Sequence, residues 1–80
     1  MSAAIARSAI TASKSMGVEI SAVAEYSVKM HQDMGMSLMN VQESYGLIYS
    51  QAGKAGMSTR DFFTAVSEAA SGMALYNFRL

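Results

Sequence analysis

The strongest constraint on this chain is a run of apolar residues that recur at steps of three and four across its centre. Such spacing places the apolar side chains on one stripe of an α-helix, since successive residues turn by about 100°. The chain contains no proline, the residue that most effectively breaks a helix. The sequence therefore predicts one long amphipathic helix over residues 18–52. Its stripe is formed by Val23, Tyr26, Met30, Met34, Leu38, Val41, Tyr45 and Ile48.

The opposite side of this predicted helix is not cleanly polar. Four apolar residues fall there among charged ones: Val28, Met36, Met39 and Leu47. A helix that is apolar on two opposite faces needs cover on both. Because 80 residues make one domain at most, spanning 1–80, we expect one cover to be a second copy of the chain. The predicted assembly interface contains Val28, Met34, Met36, Leu38, Met39, Val41, Tyr45, Leu47, Phe62, Val66, Met73 and Tyr76.

Helices are also predicted on both sides of the central one. Residues 2–16 place small apolar side chains at helical spacing, and Gly17 is a position that can end them. Gly53 and Gly56 predict a helix stop and a turn. Ser58 precedes Asp61 by three residues, a spacing typical of a helix N-cap, and a heptad pattern of apolar residues follows from Phe62 to Leu80. The predicted fold is all-α: a short N-terminal helix, a long central helix, a Gly turn and a C-terminal helix in a hairpin-like protomer.

Composition excludes several classes of function. The chain has no cysteine and one histidine, which leaves neither disulfides nor a structural zinc site, and we expect no cofactor. Six basic residues balance six acidic ones, so the electrostatic footprint of a nucleic-acid-binding protein is missing. No uncharged apolar run is long enough to span a bilayer. Residues 1–17 lack the apolar core of a secretory signal, although their serines and basic residues would also suit a transit peptide.

No residue pattern indicates an enzyme. The only histidine, His31, has no nucleophile at a matching spacing. Because histidine is the side chain that most often changes charge near physiological pH, a pH-sensing role is the alternative for it. The candidate pH-responsive residues are Glu25, His31, Asp33 and Glu43. Glu25, Lys29 and Asp33 follow one another at i,i+4 steps, which predicts a ladder of ion pairs along an exposed edge. The eight methionines suit either a core or subunit interface, or a groove for a partner helix.

Three segments together resemble a known family. Residues Met34 to Gly46 (MGMSLMNVQESYG) carry a Gly, an aliphatic residue and a small residue, then an Asn followed by a Gln-containing helix. Ser8 to Glu19 is similar to a small-polar opening that leads to a Gly, and Gly72 to Phe78 to a closing Gly-aliphatic-Leu-Tyr segment. On these residues the chain resembles the R-body structural proteins, the Reb or killing-trait family. It lacks the proline that usually follows the first Gly, its Gln run is thinner, and Met57 to Phe63 has no counterpart.

The resemblance implies a bacterial structural protein that polymerises with copies of itself, and with paralogous subunits, into a long ribbon. In that family the ribbon coils in the cytoplasm and extends when the surroundings change, in many cases on acidification, which disrupts membranes. Membrane contact would then be made only by the assembled polymer. Two alternatives stay open: an extracellular filament subunit like those of type III secretion needles, and a small helical adaptor or chaperone that binds a partner helix.

Overall fold

The chain folds into four helices. The computed structural model describes the backbone of residues 3–79 and the side chains of residue 3 and residues 6–72. Helix α1 runs over Ala3–Met16, α2 over Ile20–Gln32, α3 over Leu38–Ala55 and α4 over Thr59–Arg79. The all-α prediction is confirmed, and residues 3–79 contain no strand.

The prediction of one continuous central helix is wrong. The segment divides into α2 and α3, which are joined by a connection over residues 33–37. Within it, Gly35 has a φ of 70°, in the left-handed region that a residue with a Cβ enters only at a cost of about 1–2 kcal/mol. Helix α3 then starts at an N-cap, because Ser37 Oγ accepts a hydrogen bond of 3.1 Å from the Asn40 N–H. The chain therefore turns at a point where its apolar spacing continues without interruption.

The connection between α3 and α4 repeats the same chemistry. Gly-Met-Ser occurs at residues 35–37 and again at residues 56–58. Gly56 has a φ of 68°, and the Met57 N–H donates to the Ala52 carbonyl at 3.0 Å, which closes the end of α3. Ser58 Oγ accepts from the Asp61 N–H at 3.1 Å, as its spacing predicts. Gly53 lies inside α3, so Gly56 alone makes the turn.

The four helices form two helical hairpins that pack against each other. Helix α1 packs chiefly on α2, and α3 packs chiefly on α4. Helix α2 also contacts α3 and α4, and α1 contacts α3, so α2 and α3 are the central pair. The largest side chains that are fully buried, Val23 and Ser27 of α2 and Val41 of α3, lie on this pair. The buried cluster consists of Ala9, Ala12, Met16, Val18, Val23, Tyr26, Val41, Tyr45, Ile48 and Phe63.

Core positions recur at a spacing of 18 residues. Ala9, Ser27, Tyr45 and Phe63 are 1%, 0%, 8% and 2% exposed, and each lies in a different helix. Val23 and Val41, also 18 residues apart, are 0% and 1% exposed. Because 18 residues make about five full turns of α-helix, this spacing returns each core side chain to the same helical phase. The connections therefore leave no trace in the apolar periodicity.

Candidate assembly surface

Helix α3 has one buried face and one exposed apolar face. Val41, Tyr45 and Ile48 point into the core. Met39 and Leu47 are 69% and 61% exposed, the two most exposed large hydrophobic side chains in the described part of the chain. They are eight residues apart with Glu43 midway, so the three lie along one side of the helix at i, i+4 and i+8. We call Met39, Glu43 and Leu47 the outer face of α3.

The other residues of the predicted interface fall into three groups. Val41 and Tyr45 are buried within their own chain and offer little surface to a neighbour, although Tyr45 lines a groove beside α3. Half-buried positions, some of them packed against the core, are occupied by Val28, Met34, Met36, Leu38, Phe62 and Val66. Met73 and Tyr76 lie outside the residues whose side chains the structure describes. The structure thus separates the predicted set, and only Met39 and Leu47 are largely open to solvent.

The candidate pH-responsive residues do not form a cluster. Glu25, His31, Asp33 and Glu43 are all exposed. Across the described residues no group of three or more histidine or acidic side chains is close enough to hold a metal ion. His31 Nδ1 lies 2.7 Å from the Met36 carbonyl oxygen. Because a carbonyl only accepts, His31 donates this bond through Nδ1–H, which both its neutral and its charged form can carry. His31 therefore ties the end of α2 to the connection that follows it.

The predicted ladder of ion pairs along α2 is wrong in the part of the chain that is described. Lys29 Nζ donates to Ser71 Oγ on α4 at 2.6 Å, and forms no ion pair with Glu25 or Asp33. Asp33 lies beyond the last residue of α2. The ion pair found among these residues joins Arg60 and Glu19 at 3.8 Å, with both side chains exposed. It contributes little to stability, since exposed pairs are worth roughly 0–1 kcal/mol.

Two tyrosine–serine pairs, which the apolar spacing does not predict, cross the interface between α2 and α3. Tyr26 Oη donates to Ser44 Oγ at 2.9 Å, and Tyr45 Oη bonds Ser27 Oγ. Each serine hydroxyl donates its one hydrogen bond to a backbone carbonyl: Ser44 to that of Val41 and Ser27 to that of Val23. Since a serine has only one O–H to donate, both tyrosines must be the donors in the bonds to these serines. The dipeptides Tyr-Ser and Ser-Tyr, 18 residues apart, were the available signal.

The aromatic rings of this region surround the polar pairs. The Tyr26 ring lies 6.2 Å from that of Tyr45 and 5.2 Å from that of Phe63, measured between centroids. Burial, together with the neighbouring Tyr26, raises the pKa of the Tyr45 phenol above its ordinary value, against the effect of the bond to Ser27. The phenol therefore stays neutral, which suits a structural hydrogen bond and gives no nucleophile or base.

A groove runs between α1 and α3. Its volume is about 800 Å³, and it is open to solvent. One wall is formed by small residues of α1, and the exposed ring of Tyr49 lies on the opposite wall. Arg7 contributes a positive charge to the groove. The groove is wide enough to take side chains of a partner.

Comparison with models of known protein families, with curated protein sequences and with solved structures finds no significant match to this chain. Within the described residues, no helix combines the length and apolarity needed to cross a membrane.

Proposed function

We propose that this chain is a non-catalytic structural subunit that assembles with copies of itself through the outer face of α3. The observation that supports the proposal is the exposure of Met39 and Leu47 on one side of a helix whose other side is core. Single exposed hydrophobic residues are common on any surface. Two large exposed hydrophobic side chains about two turns apart on one side of a helix form an apolar surface that a neighbouring copy can cover. Burial of each would contribute roughly 1.5–3 kcal/mol to the contact.

The form of assembly that we propose is an open polymer, a ribbon or filament of the kind that the R-body resemblance implies, in a bacterial cytoplasm. The outer face of α3 is a single helix side, and the groove between α1 and α3 is a separate surface of the same chain. A contact that joins two different surfaces is heterologous, and such contacts leave both ends free to grow. Glu43 on the outer face and Arg7 in the groove are of opposite charge, which favours this pairing.

The groove also favours a second candidate function. An adaptor that binds a partner helix needs an elongated, partly apolar channel beside its own helices. The space between α1 and α3, with Ala12 and Met16 in its floor and Tyr49 at its edge, has that character. In this alternative the chain remains a monomer or a small oligomer, and its partner is a different protein.

Sedimentation distinguishes the two functions. Purified chain at rising concentration is centrifuged at high speed, and the pellet is imaged by negative stain. A structural subunit gives a pellet of ordered ribbons or filaments above a critical concentration. An adaptor stays in the supernatant at every concentration, and that result would contradict the proposal.

Matched variants then test the outer face itself. Leu47→Glu and Met39→Glu place a charge where a contact would bury it, so both should abolish the pellet while circular dichroism stays unchanged. Leu47→Met keeps the apolar surface and should assemble as the unaltered chain does. Ser21→Glu is the control, since it puts the same charge on an exposed residue of α2 that belongs neither to the outer face nor to the groove, and it should assemble as the unaltered chain does. If Leu47→Glu and Met39→Glu assemble normally, the outer face is not a contact.

A further inference from the structure

The apolar pattern of α2 and α3 is that of one helix, although the chain folds it as two. Ser27 and Tyr45, like Val23 and Val41, are core residues in the same helical phase on either side of the connection. Met34 and Leu38 continue the stripe at steps of four on both sides of Gly35. If residues 33–37 were helical, α2 and α3 would join into one amphipathic helix over residues 20–55, roughly 54 Å long.

Few interactions hold the connection in its turned form. Gly35 adopts a left-handed φ of 70°, and a Cβ at that position would meet nothing within 4 Å. Two side-chain bonds also hold the connection, the Ser37 cap on Asn40 and the bond from His31 Nδ1 to the Met36 carbonyl. The Met34 and Met36 N–H groups donate to the Lys29 and Met30 carbonyls, and Met36 packs against the core. The connection has no proline, and its residues are exposed or half-buried. Within the connection, straightening would therefore break mainly local contacts, and the continuous helix would replace the backbone bonds among them with its own.

The hydrogen bonds and the ion pair that unite the two hairpins all join side chains on opposite sides of this connection, and the packing of Tyr26 on Phe63 does so too. They comprise Tyr26–Ser44, Ser27–Tyr45, Lys29–Ser71 and the exposed pair Glu19–Arg60. Within the described residues, every hydrogen bond or ion pair that joins two side chains belongs to this set. A second copy of the chain presents the same partners in the same geometry. If two chains exchanged hairpins, each contact would form again between copies.

We propose that two copies of this chain exchange their α3–α4 hairpins by straightening residues 33–37, so that α2 and α3 of each copy become one long helix. The partner is an identical chain, because only an identical chain restores both tyrosine–serine pairs. The exchange is independent of the outer face of α3 and adds a second mode of self-association to the one proposed above. Reciprocal exchange gives a closed dimer with two-fold symmetry, and non-reciprocal exchange extends the chain of contacts.

Two serine variants with equal caps test the exchange. Ser37→Ala removes the cap of α3, which exists only in the turned form. Ser58→Ala removes the cap of α4, which has the same 3.1 Å geometry but is present in both forms. Loss of a cap changes an equilibrium by about fivefold. Because each dimer contains two straightened connections, Ser37→Ala should raise the association constant about 25-fold, and Ser58→Ala should leave it unchanged.

A distance measurement identifies the straightened helix directly. The chain has no cysteine, so Ser21→Cys with Lys54→Cys gives two exposed sites for spin labels. In a continuous helix these sites lie roughly 50 Å apart, whereas the longest dimension of the folded monomer is 34 Å. Labelled chain is unfolded, mixed with an excess of unlabelled chain and refolded at high concentration, so that only distances within one chain are read. The dimer fraction should give the long distance and the monomer fraction a short one.

Two results would overturn the exchange. One is an equal dimer fraction in Ser37→Ala and Ser58→Ala. The other is a Ser37→Ala dimer that retains only the short distance. If Ser37→Ala fails to fold, Gly35→Ala replaces it, with Gly46→Ala inside α3 as its control. Leu47→Glu should remove the contact through the outer face of α3 but leave the exchange intact. Failure of the proposed surface contact can therefore be distinguished from failure of the exchange.

Discussion

Tyr45 donates a hydrogen bond to Ser27, a side chain with no exposed surface, and so links α3 to α2 inside the core. Ser27 Oγ in turn donates a hydrogen bond to the Val23 carbonyl at 2.7 Å. The second pair, Tyr26 with Ser44, repeats this relay at the edge of the core, where Ser44 is half-buried. Buried polar groups stabilise a fold only when they are fully bonded, and here each hydroxyl has its partner. The two pairs fix how α2 and α3 are aligned.

Tyr45→Phe should therefore destabilise the fold more than the same change elsewhere. It removes the donor to Ser27 and leaves that buried oxygen with one bond fewer, a loss of about 1–2 kcal/mol in the free energy of unfolding. Tyr26→Phe should have a smaller effect, because water can reach the half-buried Ser44. Urea denaturation of each variant gives these values.

Tyr49→Phe is the matched control for both. Its ring is 59% exposed, so its hydroxyl exchanges one water partner for another and the unfolding free energy should stay within about 0.5 kcal/mol. A Tyr45→Phe variant that is as stable as Tyr49→Phe would show that the bond to Ser27 does not contribute to the stability of the fold.

The raised pKa of the Tyr45 phenol predicts a loss of stability in alkali. Burial opposes ionisation in the folded state, so the unfolded chain releases this proton at a lower pH than the folded chain does. The contribution is fully present below the unfolded pKa of about 10 and falls as pH rises through the folded pKa. Unfolding free energies measured from pH 8 to 11 should decline more steeply for the unaltered chain than for Tyr45→Phe. Parallel curves would contradict the assignment.

The sequence predicted the type of every element but not their number. Apolar spacing identified the core stripe correctly, since Val23, Tyr26, Val41, Tyr45 and Ile48 are all buried. It could not reveal the break at Gly35, because core positions 18 residues apart keep the same phase whether the chain is straight or turned. The repeated Gly-Met-Ser was the missing signal. At Gly72 a Met follows without the Ser, and α4 continues through that position.

The candidate surface was predictable only in part. Periodicity placed Met39 and Leu47 opposite the core, where the structure exposes them. It placed Val28 and Met36 there as well, yet both are half-buried. Met36 lies in the connection rather than on a helix, so a helical projection does not apply to it. The tyrosine–serine pairs depend on how two helices meet, which one-dimensional spacing does not contain.

Gly53 and Gly56 should respond to alanine in opposite directions, although the sequence treats them alike. Gly53 is an exposed position inside α3, where alanine favours the helix and should stabilise the fold by about 0.5–1 kcal/mol. Gly56 has a φ of 68°, which alanine adopts only at a cost of about 1–2 kcal/mol. A Cβ would meet nothing within 4 Å at either position, so packing does not confuse the comparison. Thermal unfolding of the two variants measures the difference, and equal melting temperatures would contradict the turn at Gly56.

Acid should act on the contacts of the assembled form before it acts on the fold of the subunit. At neutral pH six acidic residues offset six basic ones. As pH falls from 7 towards 4, carboxylates in general become protonated and every copy in an assembly becomes positive. The core consists of apolar residues and neutral hydroxyls, so the helices should persist while contacts between copies weaken or rearrange.

Glu43 is the carboxylate on the outer face of α3, and Glu43→Gln should reduce this pH dependence. Glu25→Gln, an exposed carboxylate on α2, should change it less. His31→Gln should also change it less, because His31 lies on α2 and bonds the Met36 carbonyl of its own chain. Sedimentation and imaging across this pH range, alongside circular dichroism, give the midpoint of each transition. Loss of assembly and helicity at one common pH would show that acid unfolds the subunit instead of acting on the contacts between copies.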